Sequence, residues 1–177
     1  MPDSRAIVTN TTPLIALAAA TGELTALRVL YDRVIVPHEV GQELQAAGAQ
    51  ACGVAQYSEA TWLERRMQPV AISSYLANAL DLGEAAVIQT ALNEGIDRVC
   101  IDETVGRRVA RLSGLTLTGS IGVLIKAKQQ GYAVSMPQAL VRMREQGIWL
   151  SDEVVRFRWR KDKNFLKTYS YRQLAQQ

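Results

Sequence analysis

The chain has 177 residues, of which 48% are hydrophobic, and its formal net charge is +3. A chain of this length corresponds to about one domain and can bury roughly 70% of its unfolded surface, so it can fold without disulfides or a structural metal. The two cysteines, Cys52 and Cys100, match no paired-ligand spacing. This argues against a zinc site or a disulfide framework and favours the reducing cytoplasm.

The first element is a short apolar run, residues 5–9, which predicts a strand. Asn10 follows directly, and Pro13 with the apolar residues after it predicts helices near 12–20 and 22–30. Asn10 is therefore expected at the carboxyl end of a strand, where open α/β sheets bind ligands. The apolar stretch here is shorter than the roughly 20 residues that span a bilayer, so we expect neither a membrane span nor an export signal.

The rest of the chain alternates between strand and helix patterns, which predicts a mainly parallel sheet covered by helices on both faces. The segment 48–80 is the least regular, and a short strand is expected there at 70–72. Elsewhere the predicted strands are 33–36, 97–101 and 115–118, and the predicted helices are 37–47, 83–94, 103–113, 119–130 and 136–146.

Two glutamates occupy helix positions that otherwise face the core. Glu43 shares a stripe with Val40 and Leu44, and Glu84 shares one with Val87 and Ile88. A carboxylate on such a stripe costs several kcal/mol to desolvate unless it is paired, hydrogen-bonded or bound to a cation. In the alternative interpretations, Glu43 is exposed at the margin of its stripe and Glu84 only complements the positive end of its helix.

Polar residues also follow two later strands. Asp102 comes directly after the strand 97–101, and Ser120 comes just after the strand 115–118. In a parallel sheet, Asn10, Asp102 and Ser120 would share one edge, with the two glutamates leaning in from flanking helices. The alternative is that Asp102 and Ser120 simply cap the helices that they precede.

Several carboxylates at one edge predict a cation site. Two unit charges about 4 Å apart repel by roughly 4 kcal/mol at an effective dielectric near 20, so the acids cannot all stay ionised without compensation. Oxygen ligands without neighbouring histidine or cysteine select Mg²⁺ or Mn²⁺. Such an ion activates water and stabilises charge on a phosphate, which favours phosphodiester hydrolysis.

Basic residues provide two candidate contacts for a polyanion. On the helix 103–113, Arg107, Arg108 and Arg111 share one side, although this side could be an ordinary solvent face opposite the apolar positions Val105, Val109 and Leu112. Residues 151–177 hold 7 Lys and Arg against 3 Asp and Glu, and aromatic residues alternate with Arg158, Arg160 and Lys161. This mixture suits phosphate contact and base stacking, or an ordinary solvated tail.

Five segments in order, residues 7–15, 36–44, 82–86, 101–110 and 119–128, resemble PIN-domain proteins. The subgroup is one of unknown function that is related to VapC-type toxin ribonucleases. The resemblance covers roughly residues 5–146 and implies a three-layer α/β/α PIN-like fold. A composition shift near Leu150 separates this domain, residues 1–150, from a basic, aromatic tail of residues 151–177. The resemblance also implies a metal-dependent single-strand ribonuclease, the toxin of a prokaryotic toxin–antitoxin pair, which a small antitoxin inhibits and which is often a homodimer.

Carried over residue by residue, the four catalytic and metal-binding positions of the family fall on Asn10, Glu43, Glu84 and Asp102. Thr11 and Ser120 are accessory candidates, and Arg107, Arg111, Arg158, Arg160 and Lys161 are the candidate RNA contacts. The family's nucleases usually present aspartate where this chain has Asn10, so one negative charge is missing.

Two hypotheses follow from this departure. In the first, the protein is a Mg²⁺- or Mn²⁺-dependent endoribonuclease, in which three acids hold the metal and Asn10 orients it or the attacking water. In the second, it is a PIN-fold module that binds RNA or a protein and has weakened or no catalysis. A nucleotide pocket at the sheet edge is a weaker alternative, because no glycine-rich phosphate loop follows the first strand.

Overall fold

Five parallel strands form the centre of the computed structural model, which describes residues 5–148. They are β1 (Ala6–Thr9), β2 (Arg33–Val36), β3 (Glu64–Arg65), β4 (Arg98–Cys100) and β5 (Thr116–Thr118), in the order β3-β2-β1-β4-β5. In chain order, β2 and β3 are added on one side of β1, and β4 and β5 are then added on the other side. The reversal of direction lies between β1 and β4, the kind of position at which open α/β sheets bind ligands.

Nine helices in the described residues surround the sheet. They are α1 (Thr11–Thr21), α2 (Thr25–Leu30), α3 (His38–Ala46), α4 (Val54–Glu59), α5 (Ser74–Ala79), α6 (Leu82–Glu94), α7 (Thr104–Leu112), α8 (Ser120–Gln129) and α9 (Met136–Glu145). Helices α1, α2, α8 and α9 pack on one another, and α6 packs on α3, α5 and α7. The predicted three-layer α/β/α arrangement with a parallel sheet is confirmed.

The strands read as continuous apolar runs because helices cover both faces of the sheet. In β1 every residue is buried, and Ile7 and Val8 are fully inaccessible, as are Ile35 of β2 and Val99 of β4. Between residues 5 and 148, no helix is both long enough and apolar enough to cross a membrane.

The prediction of a strand at 70–72 is wrong, since no strand forms there. The backbone N–H of Val70 donates instead to the side-chain Oε1 of Glu39 at 2.8 Å. The strand of this region is β3, at Glu64–Arg65. Its sequence carries no apolar signal, and its pairing with β2 is accompanied by an ion pair between Arg33 and Glu64 at 2.7 Å. Tertiary contacts, and not local propensity, therefore set this edge of the sheet.

The register of the central strands aligns their carboxyl ends. Thr9 lies opposite Cys100, and the N–H of Asn10 donates to the carbonyl of Cys100 at 3.0 Å. The N–H of Ile101 donates in turn to the carbonyl of Thr118 at 3.1 Å. The three strand ends that carry Asn10, Asp102 and Ser120 therefore meet at one edge, as predicted.

Candidate active site

Asn10 lies in extended backbone between β1 and α1, and only 4% of its surface is exposed. Its Nδ2 donates to Oε2 of Glu103 at 3.3 Å. Its Oδ1 is buried and has no hydrogen-bond partner among the residues that the structure describes. This oxygen is therefore an acceptor held at the sheet edge without a donor.

Glu103 is the acid that contacts Asn10, and sequence reasoning did not select it. Its Oε1 accepts a hydrogen bond from the hydroxyl of Thr12, so the carboxylate bridges the ends of β4 and β1. The signal was the pair of adjacent acids, Asp102 and Glu103, after one strand. Successive residues in extended chain point to opposite sides, and the sequence does not tell which one turns toward β1.

Glu84 is buried in the first turn of α6, which confirms its predicted inward placement. The helix begins there because Oδ1 of Asp81 accepts the N–H of Glu84 at 2.8 Å and so caps the helix. Burial, with added repulsion from Asp81 and Glu103, raises the pKa of Glu84 to about 7. Its Oε1 is buried and has no hydrogen-bond partner within residues 5–148. Asp81 was missed, although an acid three residues before a glutamate is a recognisable capping pattern.

Glu43 is exposed, so its predicted place on the inward stripe of α3 is wrong, and the alternative of an exposed margin holds. The buried face of the helix is Glu39, Val40, Gly41 and Leu44. The Glu43 side chain nevertheless turns back toward the sheet edge, where its Oε2 accepts the hydroxyl of Thr11 at 2.6 Å. Thr11 thus positions this carboxylate.

Gly83 brings α6 close to these acceptors. A Cβ atom at this position would lie 2.8 Å from Oε2 of Glu43 and 3.2 Å from Oδ1 of Asn10. Both contacts are shorter than ordinary van der Waals distance, so a glycine is needed for the present arrangement. This geometry places the Glu43 and Asn10 oxygens beside the start of α6.

Asp102 turns toward β5. Its Oδ1 accepts the N–H of Ser120 at 2.8 Å. Ser120 is the first residue of α8, and Gly119 occupies the cap position, so the aspartate caps the next helix along the sheet. The alternatives that Asp102 caps its own helix and that Ser120 is a cap residue are therefore wrong. Burial raises the pKa of Asp102 against the opposing effect of the Ser120 hydrogen bonds.

The arginines of α7 have different environments. Nη1 of Arg107 donates to the carbonyls of Ile101 at 2.6 Å and Thr118 at 3.0 Å, so this residue ties together the ends of β4 and β5. Arg108 and Arg111 are exposed. The buried face of α7 consists of Gly106, Val109 and Ala110, whereas Val105 and Leu112, two of the apolar positions in the solvent-face alternative, are exposed. Arg158, Arg160 and Lys161 lie outside the described residues.

The sheet edge suits a hard divalent cation in the type of its donors. It presents carboxylate and amide oxygens, and the oxygens Asn10 Oδ1 and Glu84 Oε1 are buried acceptors without a donor in the described part of the chain. Across residues 5–148, however, no three His, Cys, Asp or Glu side chains stand close enough together to hold an ion. The donor types therefore fit a divalent cation, but the acids of residues 5–148 are too far apart as they stand to surround one.

Comparison with known proteins supplies the family. Residues 6–163 match the family model DUF3368, which is described as a PIN domain, and this match covers most of the chain. No curated protein and no solved structure matches it. The family match indicates a nuclease fold and suggests an RNA substrate, and PIN domains generally use divalent metals. The chain belongs to the PIN-domain family.

Proposed function

We propose that this protein is a Mg²⁺- or Mn²⁺-dependent endoribonuclease that cuts single-stranded RNA at the carboxyl edge of its sheet. The observation that carries the proposal is the pair of buried oxygens without donors, Asn10 Oδ1 and Glu84 Oε1, at an edge where Glu43, Glu103 and Asp102 add negative charge. A buried acceptor without a partner is unfavourable, and a cation at this edge removes the penalty.

Glu43, Glu84 and Asp102 would hold the metal, and Asn10 would orient it or the attacking water. Thr11 holds the Glu43 carboxylate through its hydroxyl, and the N–H of Ser120 holds Asp102. When bound, the ion supplies activation of water and neutralisation of charge on the phosphate. The acids of residues 5–148 are not grouped closely enough to hold an ion as they stand, so they would have to move closer together to share one.

Protonation competes with this role at Glu84. Since the pKa of this group is about 7, a large fraction of the carboxyl groups carries a proton at neutral pH. The protein must release that proton before the side chain can serve as a ligand. Cleavage is therefore expected to rise from mildly acidic to mildly basic pH.

RNA would reach the edge from the side of α7. Arg111 is exposed on that helix, and Arg107 adds positive charge where β4 and β5 end. Arg158, Arg160 and Lys161 belong to the predicted tail of residues 151–177 and are proposed as further phosphate contacts. The domain boundary at 150 also remains a prediction, because it lies beyond the described residues.

The proposed biological role is that of a VapC-type toxin in the prokaryotic cytoplasm, inhibited by a small antitoxin and active as a homodimer. The support is the order of the five segments that resemble this subgroup, together with the PIN-domain match. A short neighbouring reading frame for a small protein, and relief of toxicity when both are expressed, would test this role. Toxicity unchanged by that neighbour would contradict it.

The second candidate is a PIN-fold module that binds RNA or a protein without efficient catalysis. Two observations favour it: Asn10 removes one charge, and within the described residues no three acids meet. On this account the Asn10→Asp variant gains metal affinity, whereas the natural protein neither cleaves RNA nor is toxic.

Incubation of the purified protein with end-labelled single-stranded RNA and Mn²⁺ distinguishes the two candidates. The nuclease proposal expects cleavage that EDTA abolishes and that Glu84→Gln and Asp102→Asn each reduce by about 100-fold or more. Glu59→Gln, at an exposed position on α4, is the matched control and should cleave normally. Cleavage that survives both site variants unchanged would come from a contaminant. If the natural protein does not cleave RNA at all, the binding module is favoured.

A further inference from the structure

A cleft of about 730 Å³ lies beside the acidic edge, between α3, the segment 69–72 and the start of α6. We propose that it binds a nucleobase with an exocyclic amino group, adenine, cytosine or guanine in preference to uracil, from the RNA strand next to the cut. This inference rests on the proposed function, because it assigns a base preference to the same site.

Glu39 is the residue that points to a ligand. It lies in the first turn of α3, lines the cleft and is only 8% exposed. Its Oε1 accepts the N–H of Val70 at 2.8 Å, which fixes the carboxylate against the opposite wall. Its Oε2 is buried and has no hydrogen-bond partner anywhere in residues 5–148. A buried carboxylate oxygen of this kind favours an N–H donor that enters beside it.

The walls of the cleft favour a flat heterocycle as the carrier of that donor. Pro69, Val70, Ile72 and Leu82 line it with apolar surface, and 65% of the Leu82 side chain is exposed. His38 and Gln42 add polar groups to the lining. Largely apolar walls with a small number of placed polar groups are typical of small-ligand sites. A nucleobase matches both features, because its faces stack on apolar groups and its edge carries the hydrogen-bonding atoms.

The carboxylate selects among the bases by its chemistry. The amino groups of adenine and cytosine are donors and pair with a carboxylate oxygen, as protein acids pair with the amino group of cytosine. Uracil has no amino group, and its one N–H donor on the pairing edge, at N3, lies between two carbonyl oxygens that would face the Glu39 carboxylate. A site with an unpaired acceptor therefore binds uracil less tightly than a base that brings an exocyclic amino group, because the two carbonyl oxygens beside the uracil N3–H repel the carboxylate.

The position of the cleft connects it to the proposed chemistry. Glu43, Asp81 and Gly83 also line it, and Gly83 lies against the Asn10 and Glu43 oxygens. A base held in the cleft would therefore place its own phosphate near the sheet edge. The same acids could attract a basic side chain of a partner protein, but the largely apolar walls favour a base.

The test measures binding without cleavage. Fluorescence anisotropy in EDTA compares short oligoadenylate, oligocytidylate and oligouridylate on the natural protein and on Glu39→Gln. The natural protein should bind the first two about 5- to 10-fold more tightly than the third, the effect of about one hydrogen bond. Glu39→Gln keeps an oxygen for the Val70 N–H but replaces the unpartnered oxygen with a donor, so the preference should vanish or turn toward uridine.

Two further variants and one competitor complete the design. Glu59→Gln, at an exposed position away from the cleft, should keep the preference. Ala46→Phe fills the cleft from an exposed wall position and should also abolish it, which provides a second test if Glu39→Gln does not fold. Equal binding of the three oligonucleotides, or a preference that both variants retain, would overturn the proposal. The proposal would also be overturned if argininamide displaced all three oligonucleotides equally well. That result would indicate that the cleft binds a basic side chain of a partner protein.

These results separate the two proposals. A base preference that depends on Glu39 in a protein that never cleaves RNA would support the cleft and refute the nuclease. Metal-dependent cleavage with no base preference would refute the cleft alone.

Discussion

The side-chain amide of Asn10 donates to the Oε2 of Glu103 at 3.3 Å, so an uncharged residue here stabilises a carboxylate at the sheet edge. An aspartate would replace that hydrogen bond with the repulsion between two carboxylates. The departure from the family pattern thus has a structural consequence as well as a chemical one. It stabilises the protein without metal and removes one charge that would attract the ion.

Asn10→Asp should destabilise the metal-free protein by about 1–3 kcal/mol at neutral pH, because it loses the Glu103 hydrogen bond and adds a buried charge. The added charge should also raise Mn²⁺ affinity by about 10-fold or more. Thermal unfolding across a Mn²⁺ series measures both effects. If Mn²⁺ stabilises the two proteins equally, Asn10 does not face the ion.

Glu84→Gln should change the dependence of stability on pH. The pKa of Glu84 is about 7 in the folded protein, whereas an ordinary glutamate has a pKa of 4.5, so between these values the folded protein binds the proton that the unfolded chain has lost. Stability that depends on this group therefore falls as pH rises through that interval, by up to about 3 kcal/mol. Glu84→Gln should remove that loss.

Urea unfolding at several pH values, comparing the natural protein with Glu84→Gln, isolates this effect because Asp102 and the other acids are common to both. The stability of the variant relative to the natural protein should increase from acidic to neutral pH. A constant difference would mean that Glu84 has an ordinary pKa in the folded protein.

Asp102 should have separable structural and catalytic roles. Asp102→Asn keeps an oxygen that can accept the Ser120 N–H, so its stability should stay within about 0.5 kcal/mol of the natural value. Asp102→Ala removes the cap of α8 and should cost about 1–2 kcal/mol. Both variants should lose cleavage. Chemical denaturation and the RNA assay together test this, and an active Asp102→Asn would leave the residue with only a capping role.

Arg107 and Arg111 form a matched pair on one helix. Arg107→Ala removes the donor that joins the carbonyls of Ile101 and Thr118, and should destabilise the protein by about 1–3 kcal/mol. Arg111→Ala, at an exposed position, should leave stability unchanged but weaken RNA binding and lower the salt slope by about 1. Unfolding curves and anisotropy titrations at several salt concentrations provide the comparison. If Arg107→Ala weakens RNA binding without loss of stability and Arg111→Ala leaves binding unchanged, then Arg107 alone is the RNA contact.

The layered fold could be predicted from the sequence because β1 and β2 are continuous apolar runs and helix-length segments such as α6 lie between the strands. The segment 48–80 could not. Its helices α4 and α5 have only six residues each, and helices of that length are stable only through packing, here of Tyr57 and Leu76. The two-residue β3 depends on pairing with β2 in the same way.

The candidate site was predictable to the level of the sheet edge but not of each side chain. Strand order brings Asn10 and Asp102 together, and helix periodicity places Glu84 inside. Which acid contacts Asn10 depends on side-chain direction at a strand end, and the structure assigns this to Glu103. The rotation of α3, which buries Glu39 and exposes Glu43, depends on packing against the rest of the domain.

The most direct test of the nuclease account is an analysis of the RNA ends that the natural protein and Glu84→Gln produce in Mn²⁺. Attack by water at phosphorus needs no 2′-hydroxyl, so the account predicts Mn²⁺-dependent products without a cyclic phosphate, and continued cleavage of a substrate with a 2′-deoxy residue at the cut. Glu84→Gln should yield almost none. Cyclic phosphate ends, or cleavage unchanged by EDTA and by Glu84→Gln, would contradict a metal-dependent active site at this edge.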